Sequence, residues 1–325
     1  MTAGATMPRK LIIDADPGIG DALAIALAAL DPNIDLIGVT ASSGCVSGMM
    51  ATQNILTVIE SVDPDKHPRL GASTASRPIF KQGGVEPPGF LDPLRLNGNY
   101  GLGTAEIAIA QLHNQRESAK LMVDLVKNNP HEVTLLTLGP LTNIAIACEL
   151  APDFLDSLQR LVCLGGSIGV GGDVTAAAEF NIFADPISAQ SVLQSAATRT
   201  LVPLDVSNRT VLSFDQFDRL KQNRQYALRW FFDELIPFAL RIHHEDLGLE
   251  GLPLREVTAL ASIAEPRHFT SQTMSLTIEL QGALTRGATI FDQRGIERWQ
   301  NNIDVIDSVD THGVLDYLGQ IVKNA

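Results

Sequence analysis

One local pattern constrains this chain more than any other: an apolar strand that runs straight into an acidic turn and then an apolar helix. Leu11-Ile12-Ile13 is continuous and apolar, as a strand covered on both faces of a parallel sheet must be. Asp14-Ala15-Asp16-Pro17-Gly18-Ile19-Gly20-Asp21 follows it, and a helix is predicted over residues 21–30. The alternation recurs. Strands are predicted over 34–40, 133–138, 161–164 and 201–204, with helices over 46–60, 119–127, 142–150 and 186–195. This order predicts an α/β fold, an open, mostly parallel sheet with helices on both faces, Rossmann-like in outline. Ligands of such sheets bind at the carboxyl ends of the strands, where the acidic turn falls.

The rest of the chain is less regular. Residues 75–103 are rich in Pro and Gly and read as a long loop of the kind that is functional or mobile. Residues 214–244 read as helical, aromatic-rich and placed over the active end of the sheet. Strands over 274–279 and 288–291 and a last helix over 308–323 complete the reading. With no repeat and no linker, residues 1–325 are read as a single domain, with 1–9 as a disordered tail.

Composition removes several classes of function. A net charge of −13 argues against a nucleic-acid partner, because phosphate binding needs a basic surface. Cys45, Cys148 and Cys163 are widely spaced and include no CxxC pair, which argues against a disulfide scaffold or a zinc site and for a reducing, cytoplasmic setting. The start of the chain lacks the apolar core of a signal peptide. The apolar run 22–30 is about half of a membrane span, so no membrane partner is expected.

Three constellations carry chemistry. In the first, Asp14, Asp16 and Asp21 crowd one turn. Like charges so close repel, and a shared proton or a cation relieves them; hard carboxylate oxygens favour Ca²⁺ or Mg²⁺ over zinc. The plainer alternative is a helix cap with solvated charges. The second is Leu138-Gly139-Pro140-Leu141-Thr142-Asn143, which ends a strand, turns, and offers Thr142 or Asn143 as a helix cap. Its terminal carbonyls are expected to face the same rim as Asp16. The third is Ala178-Glu179-Phe180-Asn181, with Asp185-Pro186 after it and the glycine-rich stretch 165–173 before it. An acid and an amide at i and i+2 of an extended segment share one side and suit hydroxyl groups. The plainer alternative is a loop with local side-chain turns.

Together these segments resemble the inosine-uridine preferring nucleoside hydrolase family over nearly the whole chain. Its DxDPGxDD opening appears at residues 14–21, its GPLTN-type turn at 139–143 and its AEFN segment at 178–181. Val202-Pro203-Leu204-Asp205-Val206 and Leu284-Thr285-Arg286-Gly287 are also similar to family segments. The resemblance implies a nucleoside hydrolase-like fold, one Ca²⁺ at the carboxyl rim, hydrolysis of the N-glycosidic bond of a nucleoside-like small molecule, and a homodimer or homotetramer. It implies that Asp16 binds the metal and orients or deprotonates the attacking water, with Asp14 in support. Asp21, the Leu138 carbonyl and Glu256 would complete the metal ligands. Glu179 and Asn181 would bind sugar hydroxyls, with Asp173, Arg255 and Cys45 as further substrate-binding positions.

The chain also departs from the family pattern. The paired DD becomes Gly20-Asp21, and Cys45 stands where the family has Asn; both changes concern the ribose 2′-hydroxyl. The family's His-Asp pair becomes Arg255-Glu256, and Arg is a poor proton donor. Asn97-Gly98 stands for an HG motif, and Asp173 for an Asn. Tyr100, His243 and His244 are candidate replacements for the leaving-group acid; more plainly, Tyr100 anchors a loop and the His pair lies on a helix surface. The expected activity is therefore a calcium-dependent N-glycosidase with altered sugar recognition. The alternatives are a catalytically impaired metal- or ligand-binding protein on the same scaffold, or a hydrolase of a different glycoside. If the missing acid sets sugar preference, restoring it by Gly20→Asp is expected to favour ribonucleosides.

Overall fold

The structure is a computed structural model that describes residues 7–80, 86–105, 115–195, 199–294 and 303–324. The first half alternates strand and helix as expected: β1 (Arg9–Ala15), α1 (Ile19–Leu30), β2 (Ile34–Ala41), α2 (Gly48–Val62), β3 (Arg69–Ala72), α3 (Leu94–Asn97), β4 (Arg116–Glu117), α4 (Ser118–Asn128), β5 (Val133–Thr137), α5 (Thr142–Leu150), β6 (Arg160–Leu164), α6 (Phe180–Ala184) and α7 (Pro186–Leu193). The second half holds β7 (Arg199–Val202), α8 (Leu204–Ser207), β8 (Val211–Ser213), α9 (Phe214–Asn223), α10 (Ile236–Leu247), β9 (Gly251–Pro253) and α11 (Arg255–Ala264). It ends with β10 (Phe269–Met274), β11 (Leu276–Ile278), β12 (Thr289–Phe291), β13 (Ile303–Val309) and α12 (Thr311–Asn324).

Nine of these strands form one sheet in the order β10-β13-β7-β6-β5-β1-β2-β3-β4. Every ladder is parallel except that of the edge strand β10 against β13. Successive strands leave β1 in one direction through β2 and in the other through β5. The chain therefore reverses its winding between β1 and β5, and a crevice opens there at the carboxyl ends.

Burial on both faces explains the continuous apolar strands. Leu11, Ile13 and Ala15 pack into one core, with α1, α2, α11 and α12, while Ile12 packs into the other, with α4, α5 and α7. Helix α1 is buried from Ile19 to Ala28 apart from Gly20, which is why its sequence is apolar all round. Among the described residues, no helix is long and apolar enough to cross a membrane.

Several boundaries differ from expectation, for local reasons. Residues 1–6 of the expected disordered tail lie outside the described residues, and the expectation fails at Arg9. Arg9 begins β1, donates its amide to Asn33 and its guanidinium to the Ala264 carbonyl at 2.8 Å. The helical stretch 214–244 is divided into α9, a 3₁₀ turn at Tyr226–Leu228, a π-helical turn at Phe231–Leu235 and α10. Pro237, lacking an amide hydrogen, follows the widened turn. The strand expected over 274–279 breaks at Ser275, so β10 joins the main sheet and β11 pairs with β12. The helix expected from residue 308 starts at Thr311, because 308–309 belong to β13. Residues 81–85 of the Pro- and Gly-rich loop lie outside the described residues.

A buried bond ties α12 to the end of α1. Tyr317 on α12 donates to Asp31 Oδ2 at the end of α1, at 3.0 Å. Tyr317→Phe removes it and leaves a buried carboxylate short of a donor. The expected cost is about 1.5–3 kcal/mol, read as a lower urea midpoint at unchanged slope. An unchanged midpoint would show that the tie contributes nothing.

Candidate active site

The crevice between β1 and β5 leads into a chamber of ≈ 370 Å³, within the range of small-molecule sites. Its floor is acidic, with Asp16, Asp21, Glu179 and Glu256 among the lining residues. Its upper wall is apolar, with Leu91 and Leu96 from the loop, Ile236 and Leu247 from α10, and Leu249 beyond it.

Asp16 leaves the end of β1 and sits between two turns that carry no side chain. A Cβ on Gly44 would lie 2.1 Å from Asp16 Oδ2, and one on Gly139 would lie 2.3 Å from Asp16 Oδ1. The Cys45 amide donates to Asp16 Oδ2. Asp21, in the first turn of α1, reaches back to accept from the Gly18 amide at 2.9 Å. Its other oxygen, Oδ1, is buried without a partner. Asp14 is fully buried and is not among the chamber's lining residues. Its Oδ1 accepts from Thr40 at 2.6 Å and Asn143 at 2.9 Å, and its Oδ2 has no partner. Asp14 thus stands behind Asp16 in the sheet and acts on it through charge.

These carboxyls titrate high. Burial pushes Asp14 up to about 7. Burial does the same to Asp16, also to about 7, with the charges of Asp14 and Glu256 adding to it. Asp21 rises well above its ordinary range through burial and the charges of Asp16 and Glu256. Burial raises Glu256 as well. Among the described residues no three His, Cys, Asp or Glu side chains close to metal-binding spacing. The donor chemistry fits a hard cation nonetheless. Mutually repelling carboxylates, an orphaned Asp21 oxygen and the Leu138 carbonyl lie at one rim.

The second and third constellations reach the same rim by routes the sequence did not disclose. Leu138 follows β5, and its amide bonds the Asp14 carbonyl at 2.8 Å. Thr142 and Asn143, the caps that the sequence offers, do not cap α5 with their side chains. Thr142 donates to Asp185, and Asn143 joins Asp14 to the Ala41 carbonyl, because both are drawn into bonds between segments. Residues 178–181 are not extended throughout either; Glu179 caps α6, accepting from Gly166 and Ile182 at 3.0 and 3.1 Å. Burial pushes Glu179 up to about 8. Asn181 donates both amide hydrogens, to Leu138 O at 2.7 Å and Leu164 O at 3.0 Å, so towards a ligand it offers only its carbonyl oxygen.

Arg255 is held by two side chains of the chain itself. Its Nη1 pairs with Asp173 and its Nε donates to Asn208 at 2.6 Å. Asp173 in turn accepts from the Phe180 amide at 2.9 Å. Cys45, Asp173 and Arg255 all line the chamber. Tyr100 does not; its ring is exposed and its carbonyl accepts from Asn54. His244 is exposed, whereas His243 lines the chamber rather than the outer helix surface. Its Nδ1 lies 2.8 Å from the Ala239 carbonyl, and burial lowers its pKa. A carbonyl only accepts, so Nδ1 carries the hydrogen and Nε2 of the neutral ring is an acceptor. Asn97 and Asn208 also line the chamber, which no local pattern in the sequence signals. Asn97 Oδ1 accepts from the Ile19 amide at 2.9 Å and clasps the loop to α1.

The chain matches the family described as inosine-uridine preferring nucleoside hydrolase over residues 11–316. It is 30% identical to the probable uridine nucleosidase 1 of Oryza sativa subsp. japonica over 322 residues, 96% of each chain. It is 30% identical to the pyrimidine-specific ribonucleoside hydrolase RihB of Shigella sonnei over 304 residues, 93% of each chain. Among solved structures, an inosine-guanosine nucleoside hydrolase superposes with a TM-score of 0.84 at 28% identity, covering 98% of this chain and 99% of its own.

The raised carboxyls set a pH dependence. Folding without a cation takes up protons at Asp14, Asp16 and Glu179, so their contribution to stability is full below their ordinary range and is lost as pH rises through about 7 to 8. In EGTA the melting temperature is expected to fall between pH 5 and pH 8. Added Ca²⁺ should raise it more at pH 8 than at pH 5, by at least about 3 °C. A melting temperature that climbs from pH 5 to pH 8 in EGTA would contradict the acid floor described here.

Proposed function

The chain belongs to the inosine-uridine preferring nucleoside hydrolase family and is a nucleoside hydrolase; on that premise we propose that it is a calcium-dependent N-glycosidase with altered sugar recognition. The observation that carries this reading is the gathering of Asp16, Asp21 and Glu256 beneath a chamber roofed by apolar side chains. Asp16, Asp21, Glu256 and the Leu138 carbonyl would hold the Ca²⁺. When bound, the ion supplies acidification of a water molecule and a fixed line of attack.

The chain's own residues do the rest. Asp16 takes the proton of the attacking water on its carboxylate, oriented by the Cys45 amide. Cleaving an N-glycosidic bond builds positive charge on the sugar, and the carboxylates of the floor stabilise it. Asn181 accepts a sugar hydroxyl at Oδ1, while its amide hydrogens hold the ends of β5 and β6 together. Leu96 and Ile236 exclude water from the base side. Altered sugar recognition is supported by Gly20 and Cys45, which lack the hydrogen-bonding groups that the resemblance assigns to those positions. The same resemblance supports a homodimer or homotetramer, and the unpaired thiols of Cys45, Cys148 and Cys163 suit a cytoplasmic setting.

Sugar release from a panel of ribo-, 2′-deoxyribo- and 5′-modified nucleosides, with Ca²⁺ and with EGTA, tests the reading. Calcium-dependent release from at least one member is expected. Asp16→Asn should lower it by at least about 10²-fold while the protein stays folded. Near-normal turnover in that variant would remove Asp16 from water activation. Silence across the panel with tight Ca²⁺ binding would favour a binding role or another glycoside.

A further inference from the structure

Residue 20 lies in the first turn of α1, one position before Asp21, and its space is already taken. A Cβ placed on Gly20 would lie 2.1 Å from Glu256 Oε2, 2.4 Å from its Cδ and 3.0 Å from its Oε1. The whole carboxylate of Glu256, reaching over from the first turn of α11, therefore rests on the bare backbone of α1. Both residues line the chamber, beside Asp16 and Asp21. The turn that carries Glu256 is anchored: its neighbour Arg255 is held by Asp173 and Asn208. Glu256 cannot withdraw by moving its backbone without breaking those ties. A Cβ at residue 20 would therefore drive the carboxylate out of its place.

We propose that Gly20 and Glu256 form one specificity-determining unit, in which Glu256 supplies from α11 the carboxylate that receives the sugar hydroxyls beside Asp16 and Asp21, and Gly20 leaves it room. This inference rests on the nucleoside reading above and deepens it. An ionised carboxylate only accepts hydrogen bonds, and the sugar of a nucleoside offers hydroxyl donors. On this inference an acid restored at residue 20 does not by itself improve ribonucleoside handling, because Gly20→Asp places a second side chain where Glu256 lies.

The test is a double-mutant cycle of Gly20→Ala and Glu256→Asp in the full-length, Ca²⁺-loaded protein. It is read as kcat/KM on a ribonucleoside and its 2′-deoxy counterpart, with melting temperatures to confirm folding. Gly20→Ala should lower ribonucleoside kcat/KM by up to about 10²-fold through misplacement of the carboxylate. Glu256→Asp draws the carboxylate back by roughly 1.5 Å, one carbon–carbon bond, and should lose more on the ribonucleoside than on the 2′-deoxy compound. In the double variant the two losses should not multiply, since the shorter acid no longer meets the added methyl. Losses that multiply independently, Gly20→Ala within twofold of wild type, or a Glu256→Asp loss equal on both sugars would each overturn the inference. An active wild type with any of these results sinks the inference alone. A wild type that releases no sugar sinks the nucleoside reading and the inference together.

Discussion

Negative charge held away from water is the constraint around which the rest of the molecule is arranged. Burial raises the proton affinity of Asp16, Asp21 and Glu256; the Glu256 charge adds to it at Asp16 and Asp21, and Asp14 adds to it at Asp16 from behind. A surface loop would let such groups separate and hydrate. Here the backbone denies them that escape. Asp16 is enclosed by the glycine turns at Gly44 and Gly139, Asp21 is drawn back by the Gly18 amide, and Glu256 is laid across Gly20. Compensation comes from backbone amides, the positive end of α1 and, on the proposed function, a divalent cation. With its carboxylates ionised, a site assembled this way costs stability, and on the proposed function a bound cation would offset that cost.

The sheet supplies the rigidity that this arrangement needs. Reversal of the winding between β1 and β5 separates the first helices of the two halves and leaves a gap at the carboxyl ends of the strands. The bond from the Leu138 amide to the Asp14 carbonyl extends the β1–β5 ladder up to the rim, and Asn181 binds the ends of β5 and β6. Polar side chains that look like ligand contacts in the sequence are therefore also structural fasteners. Glu179 caps a helix, Asn143 bridges two strands and Arg255 closes a bridge from α11 to the Asp173 loop. Substitution at any of them changes the shape of the chamber as well as its chemistry.

Much of the fold was legible because its periodicities are local. Buried strands such as 11–13 and 133–138 are continuous apolar runs, and the helices between them carry their own patterns and caps. Short or polar-interrupted strands escaped detection for the same reason. β4 has only two residues, and in the seven-residue β13 Asp304, Asp307 and Ser308 break the apolar run. The irregular run between α9 and α10 looked like one helix because its apolar spacing persists through turns of different pitch. In the candidate site, the acidic turn and the motif at 178–181 were visible, yet His243 read as a surface residue. Nothing in its neighbourhood in the sequence tells which side of α10 meets the chamber.

By itself the sequence determined the class of architecture, the family, and the acids at residues 14, 16 and 21, because each depends on residues close together in the chain. Tertiary structure alone decided what those acids work with. It set β5 beside β1, joined Arg255 to Asp173 and Asn208, withdrew Asp14 from the chamber wall, and put the Glu256 carboxylate in the space above Gly20. Those relations join residues from dozens to more than two hundred positions apart. They follow from how the two faces of the sheet are covered and where its winding reverses, and no local spacing encodes the distance between a missing side chain and the distant one that fills its place.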